Sequence, residues 1–212
     1  MKSLKTLTFL CAVILFASCE SNDPIVLDPV ASETISNLFA PQIGGPGGGG
    51  NTPPSGSFTL FDFETGAETT DANAWDIGFR GTSIIVNGGA SLGTADEPNR
   101  TGNAAVYLDE DGFSTVTEVD ESLFAQDSAS GYAIPTGGGN GWYDYRPFPE
   151  NLIIPRAGVS LVIRTTEGRF AKVQIESYYE NAPVNPDSSV DAARYYTFNY
   201  VYQPNEGVIS FE

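Results

Sequence analysis

The chain has 212 residues, 27 acidic against 10 basic, and a formal charge of −17. A surface this negative repels phosphate backbones and anionic headgroups, which excludes nucleic-acid binding and polybasic membrane contact. With no histidine, two cysteines and one methionine, ordinary zinc, copper and iron–sulfur sites are excluded, as are Ser-His-Asp and Cys-His catalysis, and no enzyme activity is expected.

Lys2 and Lys5 form a basic start, and TLTFLCAVILF (residues 6–16) is an apolar run too short to span a bilayer with its flanks. Ala17-Ser18-Cys19 follows, small residues ending in Cys. Residues 1–18 are therefore expected to be a lipoprotein signal peptide and Cys19 the site of lipid attachment, although Phe16 stands where a lipobox usually has Leu. Two or more acyl chains would hold the protein stably on a membrane. Processing would leave eight basic residues against 27 acidic ones and no cysteine besides Cys19, so no disulfide could form within the mature chain.

Residues 19–57 are expected to be a tether. IGGPGGGGNTPPSGS (43–57) is too rich in Gly, Pro and Ser to bury a core, and SETISNLFA (32–40) is expected to form at most a helical turn or two. Residues 58–212 make one domain, long enough for a single substantial core.

That domain reads as all-β and antiparallel. Phe58–Phe63, Trp75–Phe79 and Ser83–Asn87 are strand-like and separated by polar and glycine turns. Near the C-terminus, Val159–Arg164 is joined through Thr166-Glu167-Gly168 to RFAKVQIESYY. There Ala171, Val173 and Ile175 share one face, while Lys172, Gln174 and Glu176 share the other. Arg194–Tyr202 alternates in the same way, and a turn at 203–207 leads to an expected last strand at Val208–Phe211. Only EVDESLFAQ (118–126) is expected to be helical, capped by Asp120 or Ser122. Asp109-Glu110-Asp111-Gly112 clusters hard oxygen donors on a turn but lacks the spacing of an EF-hand.

The segments WDIGFR (75–80), IIVNGGAS (84–91), GWYDY (141–145) with LIIP (152–155), LVIRTTEGRFAKVQIESYY (161–179) and YYTFNYVYQPNEG (195–207) resemble the HmuY family in order and spacing over most of 58–212. RTTEGRFAKVQIESYY is the most specific of these. The resemblance implies a haem-binding outer-membrane lipoprotein, exposed on the cell surface, that delivers haem to a TonB-dependent receptor. Characterised members hold the iron with paired His or paired Met side chains. This chain has neither pair, so no ligand position carries over.

Two readings of the aromatic run GWYDY stay open. Trp142 or Tyr143 fills the core, or Tyr143 and Tyr145 border a cleft together with the glycine-rich stretch Val106–Gly141. If iron is ligated, tyrosinate is the available side-chain donor, and Tyr132 and Tyr107 lead the candidates, each weighed against an aromatic that merely fills a strand end. The sequence thus points to capture of haem or a related tetrapyrrole. The alternative is a surface module of the same fold that binds a protein or glycan partner and no haem.

Overall fold

The computed structural model describes residues 26–45 and 52–212. The signal peptide and Cys19 lie outside the described residues. The fold is all-β, with eleven strands among the described residues and no α-helix.

One antiparallel sheet is built from β1 (Ala31–Phe39), β6 (Ala105–Asp109), β9 (Ser160–Arg164), β10 (Phe170–Tyr179) and β11 (Ala193–Gln203), in the order β1-β11-β10-β9-β6. A second contains β2 (Thr59–Asp62), β3 (Ala67–Thr69), β4 (Ile77–Arg80) and β5 (Ser83–Val86), in the order β3-β2-β4-β5. A hairpin of β7 (Tyr143–Arg146) and β8 (Leu152–Pro155) stands apart.

The two-residue period decides how the sheets pack. Ala171, Val173 and Ile175 point inward from β10, as their alternation predicts, and Tyr196, Phe198 and Tyr200 do so from β11. Phe61, Phe63, Ile77 and Phe79 meet them from the second sheet. Phe198 lies at ring-centroid distances of 5.4 Å from Phe61 and 5.8 Å from Phe79, and Phe79 is 4.8 Å from Tyr196. Such aromatic interlocking buries large apolar areas and fixes how the layers sit on one another.

Each outer face is covered in turn. On the first sheet, Tyr107, Val162 and Phe170 are capped by Val116, Val119, Phe124 and Phe211. Lys172 lies on this face and, as a second layer requires, is 7% exposed. Its ammonium donates to the Phe113 and Val116 carbonyls at 2.9 and 2.7 Å, and burial lowers its pKa. On the second sheet, Ile85 packs with Phe58 and Trp75, and Tyr132 lies against them.

Three expectations are corrected. SETISNLFA is neither helix nor tether: residues 31–39 form β1, paired with β11 from Ala31↔Tyr202 to Phe39↔Tyr195. The register shifts between Ile35 and Leu38, where Asn37 takes φ 60°. That bulge re-phases the strand so that Leu38 is buried and Ile35 packs on the same core. The Gly/Pro run that follows is closed at its base by paired backbone bonds between Ile43 and Ser55, so the ordered domain begins well before residue 58. Second, 118–126 forms only a 3-10 turn at Glu121–Leu123, with Asp120 as its cap. On either side Val119 donates to Ile209 and Ala125 exchanges backbone bonds with Val106, which leaves no ladder for a helix. Third, Val208–Phe211 is no strand of the sheet. It touches Thr117–Val119 through an isolated bridge at Ser210, and Phe211 turns into the outer-face cluster.

Candidate functional site

At one end of the sandwich, the ends of β10 and β11 and the β7–β8 hairpin line a cavity of about 700 Å³. Four tyrosines line it: Tyr143 and Tyr145 from the hairpin, Tyr178 and Tyr179 from the end of β10. The period of β7 puts the first two on one face, with Tyr143 opposite Pro155 and Tyr145 opposite Ile153. The second pair is adjacent in sequence. It serves one end because the register of β10 against β11 shifts on both sides of Ser177.

The glycine run before GWYDY builds the wall behind Tyr145. Gly137 and Gly139 have φ of 92° and 81°, and a Cβ on Gly138 would come within 2.9 Å of the Tyr145 backbone nitrogen and Cβ. Only glycine allows the loop to lie against the hairpin in this way. Trp142 anchors the base. Its ring lies 4.9 Å from Tyr143 and 5.1 Å from the buried Tyr196, and its Nε1 donates to the Thr82 carbonyl at 3.0 Å.

The hydroxyls have different duties. Tyr143 donates to Thr82 Oγ1 at 3.5 Å, the outer limit for such a bond, and Tyr145 donates to Asn151 Oδ1 at 3.0 Å. Tyr179 accepts the Ile153 N–H at 2.9 Å. Burial raises the pKa of Tyr178, against the opposing charge of Arg194, and burial likewise raises that of Tyr179. Both phenols therefore stay protonated at neutral pH. Arg194 lines the wall with φ 74°, its Nη1 bonded to the Gln42 carbonyl at 2.8 Å, and Asp191 lines it with a carboxylate that accepts the Asp187 N–H at 2.7 Å.

Chemically, the cavity offers a flat ring the half-exposed phenol of Tyr145, backed by the buried Tyr143, Tyr178 and Tyr179, and it offers a polar edge hydroxyl, amide and guanidinium groups. The described residues include no His, Met or Cys, so a pair of neutral soft ligands for haem iron is not among them. The residues present fit the ring and not an axial pair.

GWYDY carries both of its readings at once. Trp142 and Tyr143 are buried in the main core, while Tyr143 and Tyr145 line the cavity. Tyr107 and Tyr132 lie elsewhere. Tyr107 is on the outer face of the first sheet, 5.3 Å from Phe124, and its hydroxyl accepts the Asp120 N–H at 3.2 Å. Tyr132 is on the outer face of the second, its hydroxyl 3.3 Å from Thr94 Oγ1, beside the buried Glu97–Arg100–Asp127 ion-pair chain. The acidic turn is also occupied: Glu110 pairs with Arg156 at 2.8 Å, and Asp109 bonds the Asp111 N–H. Sequence reasoning missed Tyr178 and Tyr179. The available signal was a Tyr doublet at the end of an alternating strand, where one of two neighbours should have pointed outward.

Among solved structures the chain is similar to an apo HmuY analogue from Tannerella forsythia (13% identity, 84% of this chain and 99% of that one, TM-score 0.48). It is also similar to a proposed lipoprotein of Bacteroides fragilis (13%, 83% and 92%, TM-score 0.46) and to a proposed HmuY-like haem-binding protein of Bacteroides vulgatus (14%, 83% and 93%, TM-score 0.44). No curated protein matches the sequence. The family model described as HmuY protein matches residues 56–200, the greater part of the 212, and the chain belongs to the HmuY family.

Proposed function

We propose that this protein captures haem or a related tetrapyrrole in the tyrosine-walled cavity, for iron acquisition. The observation that carries the reading is the cavity itself: about 700 Å³, within the roughly 300–1,000 Å³ usual for small-molecule sites, and walled by four aromatic rings in a chain of the HmuY family. The proposal extends to a lipid anchor at Cys19, on the strength of Ala17-Ser18-Cys19, to a place on the outer-membrane surface, and to transfer of the ligand to a TonB-dependent receptor. The family comprises binding proteins and not enzymes.

Titration of the purified chain with haemin tests the reading. The expected result is a saturable Soret shift with a high-spin ferric signature. A clean low-spin spectrum with two axial side-chain ligands would contradict the ligand set, and no shift at all would overturn the tetrapyrrole reading.

A second reading is favoured by one observation. Phe148, on the β7–β8 turn, and Val184 and Val190, on the β10–β11 loop, are 84%, 93% and 78% exposed. The two loops touch through Ser188 Oγ, which donates to the Glu150 carbonyl at 2.5 Å. Apolar side chains beside a cavity mouth suit the docking of a protein or glycan partner.

A further inference from the structure

Tight haem sites commonly gain affinity and discrimination from a bond to iron. That bond needs a neutral imidazole, a thioether, a thiolate or an ionised oxygen at the face of the ring. The first three are absent from the described residues. The cavity's oxygens that can ionise are the four phenols and Asp191. Tyr143 and Tyr145 each donate the phenolic proton to a neighbouring oxygen, and Asp191 already accepts a backbone N–H. Tyr178 and Tyr179 sit where burial opposes loss of the proton, and the groups acting on Tyr178 are the Tyr179 and Tyr143 phenols and a single cation, Arg194. Ring surface, by contrast, is available at Tyr145, while the rings of Tyr143, Tyr178 and Tyr179, 6%, 5% and 3% exposed, form the packed wall behind it. Tyr178 stands edge-on to Tyr179 and Tyr196, with centroids 5.9 and 5.3 Å apart, while Tyr145 is 50% exposed.

We infer that the cavity recognises the tetrapyrrole ring and is indifferent to its central metal, so that its ligand class includes metal-free porphyrin on equal terms with haem. The inference rests on the tetrapyrrole reading above and deepens it. Stacking and edge hydrogen bonds act on the macrocycle, which is the same flat conjugated surface with or without iron. A site of this kind collects porphyrin whatever its metallation state.

The test titrates the full chain with protoporphyrin IX, zinc protoporphyrin IX and haemin, following tryptophan fluorescence, since Trp142 lies at the base of the cavity. The three dissociation constants are expected to agree within tenfold. Tyr145→Ala should weaken all three in parallel by about tenfold, corresponding to ~1.4 kcal/mol, while Tyr145→Phe should leave the ratio between them unchanged. A difference beyond tenfold between haemin and the metal-free ring overturns the inference and leaves the tetrapyrrole reading standing. A selective loss of haemin affinity in Tyr145→Phe does the same, by exposing a tyrosinate bond to iron. Failure of all three probes to bind overturns both.

Discussion

The two ends of the sandwich use similar residues to opposite effect. At the end formed by the β9–β10 turn, the Asp76 carboxylate accepts the Phe63 N–H at 2.9 Å and the Thr166 N–H at 2.7 Å, tying one sheet to the other. Thr166 Oγ1 and Asn87 Nδ2 both donate to the Trp75 carbonyl, and the Trp75 ring is fully buried. Most polar groups there satisfy one another, the buried Tyr202 hydroxyl near Asp76 being an exception without a partner. At the far end of β10, ten residues or roughly 30 Å away, equally large aromatic side chains surround unfilled volume. The contrast shows what leaves one end open in this fold. Aromatic side chains serve both ends; what differs is whether side-chain partners close the gap between the sheets.

The largest effect is expected where the open end rests on the core. Trp142 is buried against Tyr143, Tyr178 and Tyr196 and donates to Thr82. Trp142→Ala should cost about 3–5 kcal/mol in urea unfolding, as buried aromatic truncations do, and should abolish ligand capture. If the variant loses stability and still binds haemin with unchanged affinity, Trp142 supports the core alone and the cavity wall is drawn in the wrong place.

The closed end should announce itself through pH. Burial, only partly offset by its two backbone N–H donors, pushes the Asp76 pKa up to about 7. A carboxyl whose pKa is raised on folding favours the folded state most below its unfolded value near 4. That contribution is lost as pH rises towards 7, and it is then flat. The span corresponds to ~4 kcal/mol at most. Asp76→Asn is poorer at accepting two N–H groups and should be less stable at pH 4, but it removes the titration. The stability of wild type relative to the variant should therefore fall between pH 4 and 7. The comparison cancels Asp127, another buried carboxyl with a raised pKa. A difference that stays constant over this range would mean that Asp76 is ionised throughout and that the N–H donors outweigh burial.

The contrast between the ends also explains what could be read in advance. β10 and β11 were legible because each keeps a two-residue period over most of its length, and β9 because its apolar run is joined to β10 by a glycine turn; Val173 and Ile175 point where that period sends them. β1 was not, because Asn37 inserts a bulge between its two core side chains and the alternation breaks in the middle of the strand. The turn at 121–123 shows the reverse error. Val119, Leu123 and Asp120 mimic a capped helix, while the flanking backbone donors pair with Ile209 and Val106 across the fold. Half of the cavity was visible in GWYDY, since aromatics between glycines and prolines stand out. The other half, Tyr178-Tyr179, is hidden in the sequence of a core strand. It becomes a wall only through a register shift that local sequence does not announce.

The smallest expected effect separates a phenol that closes a face from one that lines a cavity. The Tyr107 hydroxyl accepts the Asp120 N–H beneath the layer capping the first sheet. Tyr107→Phe keeps the ring and orphans that donor, which should cost about 1 kcal/mol and leave porphyrin affinity untouched. Tyr145 is half exposed, and its hydroxyl bonds to Asn151, also exposed, at the hairpin turn. Tyr145→Phe should change stability by less than about 0.5 kcal/mol, because water replaces the lost partner on both sides. Paired melting curves of the two variants decide the matter. Equal losses would mean that the Tyr145 hydroxyl holds the fold together as firmly as that of Tyr107, and the hairpin would then belong to the closed frame and not to the open side of the cavity.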